Sequence, residues 1–349
     1  MNTAAGMLRM MAWALLALAL IAYPLFADPF WTVQIGAQAL FMGIIALSLV
    51  FLAGLGGMVS LAQLTVAGAS GYALAYLGTS DPNLGASLAW YLAIPAALVI
   101  GTLFGGMVGL VSVRTSGIYT IMITLAIAVS FFYLVRQNYF VFNGFDGFKQ
   151  ITPPTIAGVG LRDPNAYYYL CLALAALTLA VVAYIRRAPF GLALQAMRDN
   201  PRRLAALGYR VWQHRVAAHL VAGLIGAVGG VLLVWYNGQI SPGTVGVMPT
   251  VNVLIMAVIG GLGHPIGAFL GALVFTLVDN FASDFIDRER FNTLIGATFV
   301  AIVMFSPDGL YGLARRLRRG GAAMLQPRRQ SRHGGADRVP RPHADEPRS

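Results

Sequence analysis

The chain has 349 residues, 58% hydrophobic and only 11% charged, less than half the roughly 25% charge of soluble domains. Such a profile excludes an ordinary soluble enzyme and marks a polytopic membrane protein. The net charge of +11 suggests nucleic acid at first sight, but it is confined to two blocks, Arg186–Arg215 and Asp308–Ser349. That asymmetry is the positive-inside bias of a membrane chain, and no nucleic-acid partner is expected.

In chain order, Met10–Ala27 follows Arg9 and resembles a signal peptide. Leu25, at the −3 position of a cut after Ala27, is not small, so the segment is expected to stay as a first span. Further apolar segments fall at about 33–53, 59–78, 88–112, 118–136, 166–185, 216–237, 249–261, 264–281 and 291–307, against the ~20 residues a full span needs. The expected fold is therefore all-α and integral to the membrane, with about ten transmembrane or partly re-entrant helices. The segment 249–261 is short and bounded by Pro249 and Gly260-Gly261, so it is expected to be broken or re-entrant.

Ten segments starting inside put Arg114, Arg186–Arg215 and the tail on the cytoplasmic side, with both termini there. The same count puts 28–32, 79–87, 137–165, 238–248 and 282–290 outside. Residues 1–32 form the first span and outer turn, 33–313 the core, and 314–349 a basic tail expected to be disordered.

Glycines recur at close spacing in three segments: Gly101, Gly105 and Gly109; Gly223, Gly226 and Gly230; Gly263, Gly267 and Gly271. Such stripes let helices approach closely, either as fixed packing or as a sliding surface. Leu52–Ala75 faintly echoes Ala257–Phe275, as internal repeats of transporters do.

Several chemistries are missing. Lys149, the single lysine, follows Phe148, so no GxxxxGK[ST] nucleotide loop exists, and any ATP must be bound by another chain. Gly260–Gly267 contains a glycine-rich string but follows no βαβ pattern. His214, His219, His264, His333 and His343 have no metal-ligand spacing, and Cys171 has no cysteine to pair with. Asp279 lies near a span end; Asp284, Asp287 and Glu289 share an outer loop with Arg288 and Arg290, either solvated or docking an external partner. Paired intramembrane carboxylates, the mark of proton relays, are absent, and so is a ring of like charges for an ion filter. The polar groups within spans are mild: Gln34, Gln38, Ser48, Ser60, Gln63, Thr65, Ser70, Tyr72, Thr120, Thr124 and Asn252. They glue helices together, or a subset lines a path for an uncharged or zwitterionic solute. Gln63, Thr65, Ser70, Tyr72 and Thr124 are the candidates for that path.

The segment RRAPFGLALQAMRDNPRRLAALGYRVWQHR, Arg186–Arg215, holds seven arginines and one acid, Asp199. Pro189 opens a helix; Asn200-Pro201 supplies an N-cap and a first-turn proline; Gly208 supplies a stop. Two short helices bent at Asp199–Pro201 are predicted. The second presents Leu204, Ala205 and Leu207 beside Arg202 and Arg203, either as a knob for another protein or as an amphipathic helix on the bilayer.

GLALQAMRDNPRRLAALG (Gly191–Gly208) resembles the cytoplasmic coupling loop of branched-chain amino acid ABC transporter permeases of the LivM type. The resemblance extends to GGMVSLAQLTVAGASGYALA (Gly56–Ala75), RTSGIYTIMITLA (Arg114–Ala126), AVIGGLGHPIGAFLGA (Ala257–Ala272) and SPDGLYGL (Ser306–Leu313). It implies a type II-like permease subunit in a bacterial inner membrane. The implied partners are a second permease subunit, a cytosolic ABC ATPase dimer, an external solute-binding protein and membrane lipid. ATP binds to the ATPase, leaving this chain without catalytic residue or cofactor. By the same resemblance Gly191, Ala196, Arg198, Asp199, Asn200, Ala205 and Gly208 form the ATPase-facing loop.

Two departures bear on the solute. Asn143-Gly144-Phe145-Asp146-Gly147 stands where the family commonly reads TGGxDG, and Leu64–Tyr72 (LTVAGASGY) where it reads AFFGxGAY. Urea and short-amide permeases share the architecture and are the alternative within the class. A self-contained channel or membrane-bound enzyme is the alternative outside it.

Overall fold

A computed structural model describes residues 2–78, 85–115, 117–156, 158–285, 296 and 309–312. These belong to one unit, Met1–Leu313; the basic tail, Ala314–Ser349, lies outside the described residues, as do the expected tenth span at 291–307 (Gly296 apart) and Asp287–Arg290.

Helix α1 (Asn2–Phe26) leads through a π-helical turn, Trp31–Ala37, into α2 (Gln38–Gly56). The bundle continues with α3 (Gln63–Gly78), α4 (Trp90–Ser112), α5 (Ile118–Gln137) and the short α6 (Tyr139–Phe142). A two-residue hairpin, β1 (Thr155–Ile156) antiparallel to β2 (Val159–Gly160), precedes α7 (Pro164–Arg187). The arginine-rich segment forms α8 (Pro189–Asp199) and α9 (Pro201–Ala206). After it come α10 (Val211–Asn237), a 3-10 turn (Pro242–Val245), α11 (Val247–Gly260) and α12 (Pro265–Phe285).

Among the described residues, five helical stretches are long and apolar enough to cross a membrane: Trp31–Gly56, α4, α5, α7 and α10. The pair α11–α12 makes a sixth if taken as one span, bent by 118°. Segment 249–261, expected to be broken or re-entrant, is a continuous short helix that ends in this sharp bend, and the bend has local causes. Gly261 adopts φ 103°, and Pro265 begins the next helix at a position where its missing N–H costs nothing. The expected span 59–78 is shorter than predicted. Residues 57–62 are irregular, and the 16-residue α3 rises only about 24 Å, less than the hydrocarbon core. Burial within the bundle makes a short helix and irregular backbone tolerable.

The core surrounds α2, whose Phe41, Ile44, Ile45, Leu47 and Leu52 are buried. Helix α10 packs on α2, α3 and α4. The glycine stripes are sites of close helix packing in this structure. Gly105 lies against the Cα of Gly223, Gly230 against the carbonyl of Ala67, and Gly271 against the carbonyl of Met256, so a Cβ at any of them collides with backbone. Gly263 faces open space and belongs to the break, not to the stripe.

Candidate coupling site and solute path

The arginine-rich segment folds as its local signals dictate. The Asn200 side chain accepts the backbone N–H of Arg203 at 3.1 Å, Pro201 fills the first turn of α9, and Gly208 takes φ 88°. The Cα of Gly191 packs on the Ile185 carbonyl, which leaves no room for any side chain where α8 turns away from α7.

Three side chains of this segment and of the start of α10 reach the C-terminal ends of spans. Gln195 Nε2 donates to the Arg186 carbonyl at 3.1 Å, at the end of α7. Arg198 Nη1 donates to the Gly54 carbonyl at 2.6 Å, at the end of α2, and its Nε pairs with Asp199 at 3.1 Å. Arg215 Nη1 donates to the carbonyls of Val113 and Thr115, both at 3.1 Å, just past α4. Helix C-termini expose unpaired carbonyls and carry a partial negative charge, so cations there satisfy both. The stem of Arg198 also lies over Gly57, whose φ of 65° ends α2. Gly54 in turn packs its Cα on the carbonyl of Leu262, inside the break between α11 and α12. Arg198 thus joins the segment to both helix breaks, 57–62 and 261–264, through one residue.

The predicted ATPase-facing residues divide into two sets. Gly191 is buried, and Arg198 and Asn200 make contacts within the chain. Ala196, Asp199, Ala205 and Gly208 are exposed. The predicted apolar knob needs correction. Leu204 is 4% exposed and belongs to the main core, whereas Leu207 is 75% exposed. A six-residue helix cannot stand alone, and Leu204 anchors it. The outward surface instead carries Leu192, Leu207, Tyr209 and Trp212 among exposed arginines. Tyr209 and Trp212 follow the glycine stop and lie outside the helical pattern that drew attention to Leu204.

The five solute-path candidates are all buried, yet they do not line one surface. Ser70 donates to the Ala227 carbonyl on α10 at 3.1 Å, and Gln63 Oε1 lies near Gly226. These two face α10. Thr124 accepts the Leu61 N–H at 3.0 Å and bonds back to the Thr120 carbonyl, which seats α5 against the backbone leading into α3. Tyr72 faces α5 and the loop after it, ringed by Phe131, Phe142 and Phe148 at centroid distances of 6.4, 5.5 and 6.3 Å. Thr65 lies two turns before Tyr72 on the same side of α3. The Gln63 Oε1, Thr65 Oγ1 and Tyr72 hydroxyl have no hydrogen-bond partner. Gln34 and Gln38 act as glue: the Tyr236 hydroxyl donates to both, and Asn280 donates to Gln38 at 3.4 Å. No metal-binding group of His, Cys, Asp and Glu side chains occurs among the described residues.

Residues 31–303 match the family model described as "Branched-chain amino acid transport system / permease component". The chain is 25% identical over 286 residues to the high-affinity branched-chain amino acid transport system permease protein LivM of Escherichia coli, covering 75% of this chain and 67% of that one. It is 26% identical over 134 residues to LivH of the same organism's system, covering 38% of this chain and 43% of that one. It is 28% identical over 208 residues to the nucleoside ABC transporter permease protein NupC of Lactococcus lactis, covering 56% of this chain and 64% of that one. No solved structure matches the chain.

Proposed function

The chain belongs to the family of permease components of branched-chain amino acid transport systems, and from that premise we propose that it forms one transmembrane half of an ATP-driven importer for branched-chain or other hydrophobic amino acids. The reading is supported foremost by Arg198, which ties an exposed arginine-rich segment to the ends of the spans. The chain has no nucleotide loop of its own, so the energy of transport enters from a cytosolic ATPase dimer docked on α8 and α9. The exposed Ala196, Asp199, Ala205, Leu207 and Gly208 face that ATPase; Arg198 and Gly191 carry its displacement inward. Because LivM and LivH are both named as permeases of one system in E. coli, the other half is a second, related permease subunit. An external solute-binding protein delivers the solute to the opposite end, where the loops 137–165 and 238–248 lie. The chain is a multi-pass membrane protein. We place it in the bacterial inner membrane with the arginine-rich segment and both termini in the cytoplasm, and membrane lipid covers the apolar outer faces of α4, α5 and α7.

Reconstitution with the second permease, ATPase and binding protein in vesicles tests the proposal. ATP-dependent uptake of leucine, isoleucine or valine is expected. Uptake of a nucleoside instead, or of urea, reassigns the solute; no ATP-dependent uptake of any of these removes the importer reading.

A further inference from the structure

With the arginine-rich segment on the cytoplasmic side, as the importer reading places it, we infer that the end of α7 is a binding site for one anionic phospholipid. Its headgroup phosphate sits on Arg186 and Arg187, and an acyl chain runs along the outer face of α7. The headgroup site is a cavity of about 460 Å³ where α7, α8 and the approach to α12 meet. Arg186, Arg187, Gln195 and His264 supply its polar lining, Ala183 and Leu192 its apolar lining. Neither arginine side chain has a hydrogen bond or ion pair among the described residues. No carboxylate lines the cavity among those residues either, and Asp199, the one acid of the segment, is engaged by Arg198.

The charges call for an anion. Arg186 also lines a smaller inner cavity of about 80 Å³, which it shares with Arg198 and Gly54. Three guanidiniums therefore converge on this junction against one carboxylate. Like charges this close raise each other's energy, the more so beside a bilayer than in water. A phosphate offsets that repulsion, and the planar guanidinium fork matches its oxygens. With no acid in the lining to meet an ammonium, the cavity favours a headgroup of net negative charge over a zwitterionic one.

The outer face of α7 says that the anion carries a lipid tail. Ala173, Ala176, Ala180 and Ala183 are all exposed and recur at spacings of three and four, so they share one face, and Arg187 follows four residues later. At 100° per residue, Leu172 and Leu179 stand on one side of this alanine track, Leu177 and Tyr184 on the other. The track is thus a shallow channel between two ridges, leading into the basic cavity. From Ala183 to Ala173 it runs about 15 Å, half the roughly 30 Å hydrocarbon core and so the depth of one leaflet. A free phosphate has no use for it; a phospholipid of the cytoplasmic leaflet fills both parts at once.

The test uses the complete complex in phosphatidylcholine vesicles doped with phosphatidylglycerol that carries a photoactivatable acyl chain, with adducts mapped by peptide. Adducts within residues 173–187 are expected, in excess over those from a photoactivatable phosphatidylcholine. Arg186→Gln with Arg187→Gln should lower them about fivefold per arginine. Arg202→Gln with Arg203→Gln removes the same charge from exposed positions outside the cavity and should leave them in place. Equal losses in the two pairs reduce the effect to a general attraction between a basic surface and an anionic bilayer, and overturn the site. Ala183→Phe keeps every charge and obstructs the channel; it should also lower the adducts, and it serves if the arginine pair fails to fold. Displacement of the adducts by excess inorganic phosphate would make the occupant a free anion and overturn the lipid assignment. No adduct on α7 in a complex that transports leucine overturns the site while the importer reading stands. Adducts on α7 in a complex that transports nothing support the site and remove the importer reading.

Discussion

The guanidinium of Arg198 donates to the carbonyl of Gly54 at 2.6 Å, joining positions 144 residues apart. The bond satisfies a carbonyl that α2 leaves open at its end, and its donor sits on the helix that faces outward beside Asp199. Gly54 also touches Leu262, so Arg198 stands one residue away from both the end of α2 and the α11–α12 break. Arg215 makes the parallel connection to the end of α4.

Replacing Arg198 with Ala is expected to separate ATP hydrolysis from solute movement. Arg198 is partly exposed, so the folding loss is small, about 1 kcal/mol, and the protein still inserts. The measurement is solute moved per ATP hydrolysed in vesicles. A ratio unchanged from wild type contradicts the transmission role of this bond.

Gly230→Ala and Gly271→Ala force a methyl group into the carbonyls of Ala67 and Met256. Each is expected to destabilise by about 1–3 kcal/mol, as overpacking does. Gly263→Ala meets nothing within 4 Å and serves as the neutral control. Thermal unfolding in detergent ranks the three; equal midpoints for all of them mean that the helices are not in backbone contact.

Leu204→Ala and Leu207→Ala are close in sequence and opposite in consequence. The first empties a core site and should cost about 2–5 kcal/mol. The second trims a side chain that is 75% exposed and should leave unfolding unchanged while weakening co-purification of the ATPase. Loss of stability at Leu207, or its absence at Leu204, contradicts the orientation of α9.

Legibility in the sequence followed the range of the interaction. The caps of α9 were readable because Asn200, Pro201 and Arg203 act on one another within a single turn. The break at Gly261 was readable because glycine and proline impose it locally. The inward turn of Leu204 was not, since a Leu-Ala-Ala-Leu run suits either face until the helix docks. Nor was the shortness of α3, whose apolar composition extends well beyond its hydrogen-bonded helix.

The amino-acid sequence by itself determined that the chain lives in a membrane, carries its charge in blocks, and lacks a loop for ATP. Composition and nearest neighbours are enough for each of these. Only the tertiary structure decided which end Arg198 caps, which hydroxyls of α3 are satisfied by α10, and which are left facing α5. These depend on segments far apart in the chain, brought into contact by close glycine packing whose partners no local pattern names.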